Sequence, residues 1–589
     1  MQDSILFWNA VALEANRVSH SDPDKREQNG PTLSSRALAI VHLAMYDAFA
    51  GITGTAGFPR YLNPAPPPPV APPPLSARDA VAGAAHATLS ALFTTQREFF
   101  DAQLSCFDTA SPSFAFGRTV GNTLFNLRFN DMDARSCGYR TSNNRGRHRV
   151  DPDNPGQGFD SPFYGAQTRG FAISVRHGVN RPPFANGTDA RYLLALRDVR
   201  ARGIRPDLTA TLPDGLFDNR RSPLDTLVGI YWGYDGSNRL GTPPRFYNQI
   251  IRQVAMQQGN NEGRNARLFA FVNAAMGDAA ILAWEQKYCH DFWRPVLGIR
   301  EHDEKLGPAA PYGVNVNFSD GDPGWLPLGA PSTNSPGLRN FTPNFPAYPS
   351  GHATFGAAAF HVARMFYGIA PNNKSNDNLF PGFFVSDEFN GRNRDNNGTV
   401  RPRHTRTFPG GLWEMIIENA ISRVLLGVHW IFDAFDFAED DEGNLVPDLN
   451  NEFIGGVGLG LRIARDIFAS GSGLAPRMTP ANVAQPPIVT PPPESPMPSW
   501  VRQPASVGGC ANTLPPGALA AEAEPATAAA AKSSKKGAAK GSAKKGAAKK
   551  GSAKKGAAKG STPPEATEQD QAELGTPVQG AWPSGISER

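Results

Sequence analysis

Three short stretches of the chain carry residues whose types and spacing suit the chemistry of an oxyanion. One is Pro-Ser-Gly-His at 349–352, directly before the helix-like run ATFGAAAFHVARMF. Ser350 is a good N-cap, and the N–H groups of the turn behind it, together with the helix dipole, attract an anion. Gly351 lets the backbone approach a ligand closely, and His352 can give or take a proton. Taken alone, the stretch is also explained by a helix cap with an incidental histidine.

The second stretch, AWEQKYCHDFWRPV at 283–296, carries two cations. On a continuous helix they would share one stripe with two other residues, at spacing i, i+3, i+7 and i+10: Trp284, Lys287, Asp291 and Arg294. The sequence before them is apolar enough to be buried, and two buried cations require an anion. The alternative is a solvated helix face with a salt bridge from Asp291.

The third stretch, ENAISRVLLGVHWIFDAF at 418–435, contains Arg423 and His429, which would point in different directions on one straight helix. Gly427 lies between them and could end or bend the helix so that both converge. Asp433 follows His429 at i+4, where its carboxylate could orient the imidazole. The alternative is an apolar helix with one capped histidine.

Together, the three stretches contain a set of donors that none of them contains alone. They supply one lysine, two arginines, a serine hydroxyl, backbone N–H groups and two histidines. This is a full set of donors for a tetrahedral oxyanion, with one imidazole left as nucleophile or ligand and the other as acid or base.

Helices must position these residues, because apolar residues recur at helical spacing through most of the chain. The pattern predicts helices at 5–15, 36–51, 78–105, 112–129, 243–258, 265–288, 351–368, 411–428 and 453–471, while strand-like alternation is scarce. A proline-rich connector at 61–80 ends at Ser76, which opens a helix. The region 138–222 is rich in Asn, Gly, Arg, Pro and Asp and predicts long surface loops. The predicted class is all-α, with helical bundles and long loops.

The last part of the chain differs in composition from the rest. Residues 475–518 are rich in proline, and an imperfect Lys/Ala/Gly repeat occupies 526–561. Residues 532–559 contain eleven Lys and no acidic residue, so the formal charge of +4 conceals a mildly acidic body. Such composition predicts disorder. The tail could bind a polyanion or nucleic acid by charge alone, or serve only for solubility.

We therefore divide the chain into an N-terminal helical region with long loops at 1–222, a C-terminal helical bundle at 223–472 that carries the oxyanion site, and a low-complexity tail at 473–589. The four cysteines, Cys106, Cys137, Cys289 and Cys510, form neither a zinc pattern nor a disulfide framework. No Sec signal and no transmembrane run of about 20 apolar residues is visible. Localisation stays open: cytoplasmic by default, or exported without an obvious signal.

The three motifs resemble a known signature. Lys287-x6-Arg294-Pro295, then Pro349-Ser350-Gly351-His352, then Ser422-Arg423-x5-His429-x3-Asp433 are typical of the superfamily of type-2 phosphatidic acid phosphatases, bacterial acid phosphatases and vanadium-dependent haloperoxidases. Within it, the chain is similar to the vanadium chloroperoxidases in FWNAVALEANRVSH, YWGYDGSNRLGTPPRFYNQI, FPAYPSGHATFG and ENAISRVLLGVHW. The similarity covers residues 5–472, although 138–222 does not match closely.

The resemblance implies a vanadate cofactor and a role for each motif residue. His429 would bind vanadium through a ring nitrogen, and His352 would be the acid or base near the apical oxygen. Lys287 would also polarise the bound peroxide. The residues expected to hydrogen-bond the vanadate oxygens are Lys287, Arg294, Ser350, Gly351 and Arg423. The implied fold has two four-helix bundles, with vanadate in the second.

Three further residues follow from the resemblance. Asp235, in YWGYDG, matches the family aspartate that pairs with the second vanadate arginine, here Arg423. Trp284 and Phe345 match positions that line the halide pocket in chloroperoxidases. In bromide-restricted algal relatives, a histidine often replaces the residue at position 345.

The implied reaction is oxidation of chloride or bromide by hydrogen peroxide to hypohalous acid through a peroxovanadate intermediate. An organic acceptor, if there is one, cannot be identified from the sequence. The alternative is an acid phosphatase that forms a phosphohistidine at His429, with His352 protonating the leaving group. The motifs alone do not separate the two, because phosphate and vanadate require the same donors.

Overall fold

The structure is a computed structural model that describes residues 3–54, 57–70, 74–129, 131, 139–162, 164–185, 188–214, 219–303 and 320–483. The Lys-rich repeat, the Pro-rich segment from residue 484 onward, Cys137 and Cys510 lie outside these residues. The expectations for the tail, including polyanion binding, therefore stay predictions.

The prediction of an all-α protein is confirmed. Fifteen α-helices lie within the described residues: α1 (Ser4–Ser19), α2 (Gly30–Thr53), α3 (Ala77–Leu92), α4 (Arg97–Ala102), α5 (Pro112–Leu127), α6 (Tyr164–Gln167), α7 (Ala190–Arg202), α8 (Pro223–Tyr231), α9 (Pro243–Gln257), α10 (Glu262–His290), α11 (Pro295–Arg300), α12 (Gly351–Phe366), α13 (Gly411–Leu425), α14 (Ile431–Ala434) and α15 (Gly455–Ser470). The described strands form two antiparallel ribbons, β1 (Phe383–Phe384) with β2 (Arg406–Thr407) and β3 (Phe437–Glu439) with β4 (Leu445–Pro447). Phe383 lies opposite Thr407 in the first ribbon, and Ala438 lies opposite Val446 in the second.

Two of the predicted helix starts have the expected cap. The hydroxyl of Ser76 accepts from the backbone N–H of Asp79 at 3.1 Å, at the start of α3. The hydroxyl of Ser350 likewise accepts from the N–H of Ala353 at 3.4 Å, at the start of α12. Each cap satisfies one N–H group that the first helical turn leaves without a partner.

The long helix α10 connects two groups of packed helices. On one side it packs against α2, which packs in turn with α3 and α5; on the other it packs against α12 and α15, with α13 beside them. Close approach is possible because small residues face each other, as where a Cβ built at Gly277 of α10 would lie 3.1 Å from the Cβ of Ala39 in α2. One continuous apolar cluster runs from Ile5 to Ala475. The domain boundary at 222 thus stays a prediction.

Helix α10 also bears on the expectation of no transmembrane run. Among the described helices it is the one long and apolar enough, by length and composition, to cross a bilayer, but 94% of its apolar window is buried inside the protein. Its hydropathy reflects its place between the two helix groups, since a helix that is apolar all round is typical of a buried core.

Two expectations about local structure are wrong. The stretch 283–296 is not one helix: α10 ends at His290, Asp291 adopts a left-handed conformation with φ 53°, and Arg294 lies directly before the separate helix α11. Pro295 explains the break, because the residue before a proline disfavours the helical conformation. The region 138–222 is more than surface loop, since it contains α7 and the buried side chains of Tyr139 and His148.

Candidate functional site

Helix ends bring the three stretches together. Lys287 lies in the last turn of α10, and Arg294 immediately precedes α11. Ser350 caps α12, and Arg423 lies in the last turn of α13. Gly427, with φ 72°, then turns the chain so that His429 approaches Arg294, whose Nη1 is 2.9 Å from the imidazole Nε2. Helix ends suit such a site because their polar backbone groups are not used within the helix.

Lys287 is fully buried and uses all three of its N–H donors on backbone carbonyls. Its Nζ donates to the carbonyl oxygens of Pro346, Ala347 and Pro349 at 3.1, 3.0 and 2.6 Å. Burial, followed by the positive charge of Arg294, lowers the pKa of Lys287 well below its ordinary value. The ammonium therefore holds the segment before Ser350 in place by hydrogen bonds. It must break one of these hydrogen bonds before it can donate to a ligand.

The two arginines retain buried donors that have no partner among the described residues. Arg294 donates from Nε to the carbonyl of Phe345 and from Nη1 to that of Val428, but its Nη2 has no partner. Arg423 donates from Nη2 to the Asp235 carboxylate at 2.8 Å, and its Nε and Nη1 have no partner. Burying a guanidinium N–H without an acceptor costs free energy. These donors therefore indicate a binding site for an anion, and not a purely structural role in the core.

His429 is held in one tautomer by its neighbours. Its Nδ1 lies 2.7 Å from the Asp433 carboxylate, which also accepts from the backbone N–H of Trp430. Because Nδ1 donates to the carboxylate and Arg294 donates to Nε2, the lone pair of the ring is on Nε2. Burial holds the pKa of His429 well below its usual range. Burial also raises the pKa of Asp433 to about 7. The neutral imidazole is suited to act as a ligand or a nucleophile at Nε2.

His352 presents a free ring nitrogen to the same space. The backbone carbonyl of Trp232 accepts a hydrogen bond from the ring, and Nε2 is buried with no partner among the described residues. Burial, then Arg423 and Lys287, lowers the pKa of His352 well below its ordinary value. A neutral imidazole with an exposed lone pair beside cationic donors has the properties of a general base.

The charges around the site favour an anionic ligand. Burial lowers the pKa of Arg294 to about 9, with Asp433 opposing that shift and Arg423 adding to it. A bare metal cation would be repelled by Lys287, Arg294 and Arg423, whereas an oxyanion would satisfy their free donors. Together with the N–H groups after Ser350, the arrangement fits a tetrahedral or five-coordinate oxyanion bonded to His429 Nε2.

A cavity of about 180 Å³ opens beside these groups. The residues that line it include His352, Arg423, His429, Asp235 and Gly351. Its other lining residues are mostly apolar or amide-bearing: Gly30, Pro31, Gln157, Gly158, Asp160, Pro243, Trp284, Phe341, Pro343, Asn344, Phe345 and Phe355. The cavity is thus polar at the cationic end and largely apolar elsewhere.

Trp284 and Phe345 form one wall of the cavity. Their ring centroids are 4.8 Å apart, and Lys287 Nζ lies 5.0 Å from the Phe345 centroid. The indole of Trp284 donates to the carbonyl of Asp160 at 3.2 Å, which fixes the plane of the ring. Lys287 thus presents its charge to aromatic faces, an arrangement that favours a desolvated cation.

The structure brings all the predicted site residues together at this cavity or in direct contact with its lining residues, while the roles assigned to them stay predictions. Asp291 is not among them: its buried carboxylate accepts from Tyr139 and pairs with Arg147, so the solvated face considered for this stretch is also wrong. The sequence did not reveal Gln157 and Asp160 as lining residues, because they lie in a loop without periodicity.

Two further residues next to the site were also missed. Asn419 joins the first turn of α12 to α13 by donating to the carbonyl of His352, and the hydroxyl of Tyr247 on α9 donates to the Asn419 amide oxygen. Asn419 precedes Arg423 by four residues, a spacing that places both on one helix face and could have identified it.

Comparisons with known proteins agree with this geometry. Residues 2–159 match the family model "Vanadium chloroperoxidase N-terminal domain", and residues 267–438 match "VCPO second helical-bundle domain". The vanadium chloroperoxidase of Curvularia inaequalis is 36% identical over 595 aligned residues, covering 83% of this chain and 92% of that protein.

Two solved structures share the fold. A bacterial vanadium-dependent iodoperoxidase aligns with a TM-score of 0.54 at 17% identity, over 80% of this chain and 98% of that one. A holo-type bacterial vanadium-dependent chloroperoxidase aligns with a TM-score of 0.50 at 17% identity, over 78% of this chain and 95% of that one.

Proposed function

The chain belongs to the vanadium chloroperoxidase family and is a vanadium-dependent haloperoxidase with a vanadate cofactor; from this premise we propose that it oxidises chloride or bromide with hydrogen peroxide to hypohalous acid. The observation that carries the proposal is the set of buried donors without partners on Arg294 and Arg423, next to the imidazole of His429. Phosphate would satisfy the same donors, so the family resemblance decides in favour of vanadate.

Specific residues would hold the cofactor. His429 Nε2 would bind vanadium, with the Asp433 carboxylate accepting from the other ring nitrogen, Nδ1. Arg294 and Arg423 would donate to the oxygens through the N–H groups that have no protein acceptor, and Asp235 would keep Arg423 in place. Ser350 and the backbone N–H of Gly351 would contribute from the start of α12, where the helix dipole favours negative charge.

Bound vanadate would supply a Lewis-acid centre that makes a peroxide oxygen electrophilic toward halide. The protein would move the protons: His352 Nε2, a free acceptor in the cavity, would take one from hydrogen peroxide. Lys287 would turn one N–H from a backbone carbonyl toward the peroxide oxygen that the halide attacks. This hydrogen bond would make that oxygen more electrophilic. The step at His352 uses a nitrogen that is already free, whereas the step at Lys287 requires the exchange of one hydrogen bond.

The halide would approach along the aromatic wall of Trp284 and Phe345. This wall excludes water from the cationic end of the cavity and offers ring edges and cations to an anion. Phe345 also lies under the Arg294 guanidinium, whose Cζ is 4.9 Å from the ring centroid. We therefore expect chloride to be accepted as well as bromide, since position 345 holds a phenylalanine and not the histidine that bromide-restricted relatives often have there.

Halogenation of an activated diketone by the purified protein, with and without added orthovanadate, tests the proposal. We expect hydrogen-peroxide-dependent turnover with bromide and with chloride, in each case only after orthovanadate is added. His429→Ala should abolish orthovanadate binding and turnover, because it removes the nitrogen ligand. Asn273→Ala, which changes a buried asparagine of α10 that hydrogen-bonds to Asn248 and Phe269, is the control for folding.

Two results would contradict the proposal. One is halogenation that does not depend on orthovanadate. The other is hydrolysis of a phosphate monoester without any halogenation, which would favour the phosphatase with His429 as nucleophile. Retained orthovanadate binding in His429→Ala would show that another residue is the ligand.

A further inference from the structure

A buried asparagine joins two parts of the site that come from different helices. Asn419 lies on α13, one turn before Arg423, and it is fully buried. Its Nδ2 donates at 2.9 Å to the backbone carbonyl of His352, in the first turn of α12. The contact therefore connects the helix that carries Arg423 to the turn that carries Ser350, Gly351 and His352.

A tyrosine fixes the orientation of this amide. The hydroxyl of Tyr247, on α9, donates to Asn419 Oδ1 at 2.9 Å and lies 3.4 Å from the same carbonyl of His352. A carbonyl can only accept, so the amide must turn Nδ2 toward His352 and Oδ1 toward the phenol. Burial raises the pKa of Tyr247 far above its ordinary value, so the hydroxyl remains a donor throughout the pH range of the protein.

The opposite helix leaves space for the asparagine. A Cβ built at Gly356 of α12 would lie 2.3 Å from Asn419 Nδ2, closer than non-bonded atoms approach. Gly356 follows His352 by one helical turn, so the glycine and the accepting carbonyl lie on the same face of α12. The amide of Asn419, the carbonyl of His352 and the missing side chain at Gly356 fit one another. The contact is therefore a specific hydrogen bond between side chain and backbone, and not general packing.

We infer that Asn419 is a positioning residue for the oxyanion site, because it sets the distance between the first turn of α12 and the guanidinium of Arg423. It does not line the cavity; it acts through His352 and Arg423. The inference rests on the proposed function, in which both of those residues face bound vanadate. Loss of a hydrogen bond to a residue that itself contacts the cofactor lowers cofactor affinity by about 10- to 100-fold.

Calorimetric titration of full-length protein with orthovanadate tests the inference without measuring turnover. We expect Asn419→Ala to bind orthovanadate at least about tenfold more weakly than wild type. Asn273→Ala is the matched control, since Asn273 is also fully buried, also donates to a backbone carbonyl and lies several turns from Lys287 on α10. It should lower thermal stability and leave orthovanadate affinity within twofold of wild type.

A double-mutant cycle with Gly356 separates positioning from loss of packing. Gly356→Ala alone should weaken binding, because the new methyl group collides with the Asn419 amide. In the Asn419→Ala background the same change should have little further effect, because the amide is absent. Additive losses would contradict the mechanism.

The outcomes distinguish this inference from the proposed function. If wild type does not bind orthovanadate, the proposed function and the inference both fail. If wild type binds and Asn419→Ala binds equally well, only the inference fails. Should Asn419→Ala not fold, Tyr247→Phe decides: it removes only the hydroxyl that orients the amide, and unchanged affinity in that variant overturns the inference.

Discussion

Each cation of the site keeps a different share of its donors free. Lys287 uses all three on backbone carbonyls, Arg294 leaves one nitrogen without a partner and Arg423 leaves two. Residue types and spacing predicted that these side chains would meet, but not this division, because it depends on which carbonyls the loop before Ser350 presents. Arg423 is therefore ready for an oxyanion as it stands, whereas Lys287 has to exchange a bond and Arg294 has to move Nη1 away from His429 Nε2 before that nitrogen can bind a ligand.

The charge of Asp433 is expected to matter for cofactor binding. Asp433→Asn keeps the shape of the side chain but removes the negative charge that holds the Nδ1–H of His429. We expect orthovanadate affinity to fall by about 10- to 100-fold. Calorimetric titration checks this.

Asp278→Asn is the control for Asp433→Asn. It changes an equally buried carboxylate, which accepts from the backbone N–H groups of Phe171, Ala172 and Ile173, away from the cavity. Equal loss of affinity in the two variants would show that buried negative charge in general, and not the contact with His429, is responsible.

Helical periodicity predicted most of the elements but not where some of them end. The patterns at 243–258, 265–288, 351–368, 411–428 and 453–471 correspond to α9, α10, α12, α13 and α15. Periodicity ended the helix at 288, close to His290, but placing Lys287 and Arg294 on one stripe assumed that the helix continued. The helix α7 was missed because four of its thirteen residues are arginine. Yet the ends carry the chemistry, so the site depends on the least predictable part of each helix.

Gly427 is expected to be required where α13 ends. A Cβ there would lie 2.5 Å from the carbonyl oxygen of Gly203, and the residue has φ 72°. Gly427→Ala should therefore lower both the free energy of unfolding and orthovanadate affinity, because His429 follows two residues later. Urea denaturation and calorimetric titration measure the two effects.

Gly398→Ala separates backbone conformation from crowding. Gly398 also has positive φ, at 89°, but nothing lies within 4 Å of its built Cβ. This variant should lose only about 1–2 kcal/mol of stability, with no change in affinity. A Gly427→Ala protein no less stable than Gly398→Ala would contradict the close contact with Gly203.

Across the whole molecule, neutral histidines are buried in both helix groups. Burial lowers the pKa of His20, His42, His290 and His361 to about 4. Burial also holds the pKa of His148, His352 and His429 well below the ordinary value. Five buried carboxyls have raised pKa values: Asp278 at about 6, Asp433 at about 7 and Glu388 at about 8, with the pKa of Asp198 and of Glu285 also above the ordinary value.

The protein is expected to lose stability as the pH falls below about 6.5. There the unfolded chain binds protons on these histidines and the folded chain does not, so the free energy of unfolding rises with pH. Each histidine contributes about 1.4 kcal/mol per pH unit between its two pKa values. The five carboxyls with raised pKa values oppose the trend but are fewer than the seven histidines. Urea midpoints at pH 7.5, 6.5 and 5.5 check the sign, and an unchanged or rising midpoint toward pH 5.5 would refute it.

The shared helix α10 makes the protein hard to divide. Its first turn is tied to the N-terminus through Glu262, which accepts from the backbone and hydroxyl of Ser4, and its last turn holds Lys287. A fragment starting at residue 223 would carry every predicted site residue yet leave bare the face of α10 that covers Ala39 and Phe171. Such a fragment would aggregate instead of binding vanadate, and the two pieces of a split chain would recover function only by reassembling on that helix.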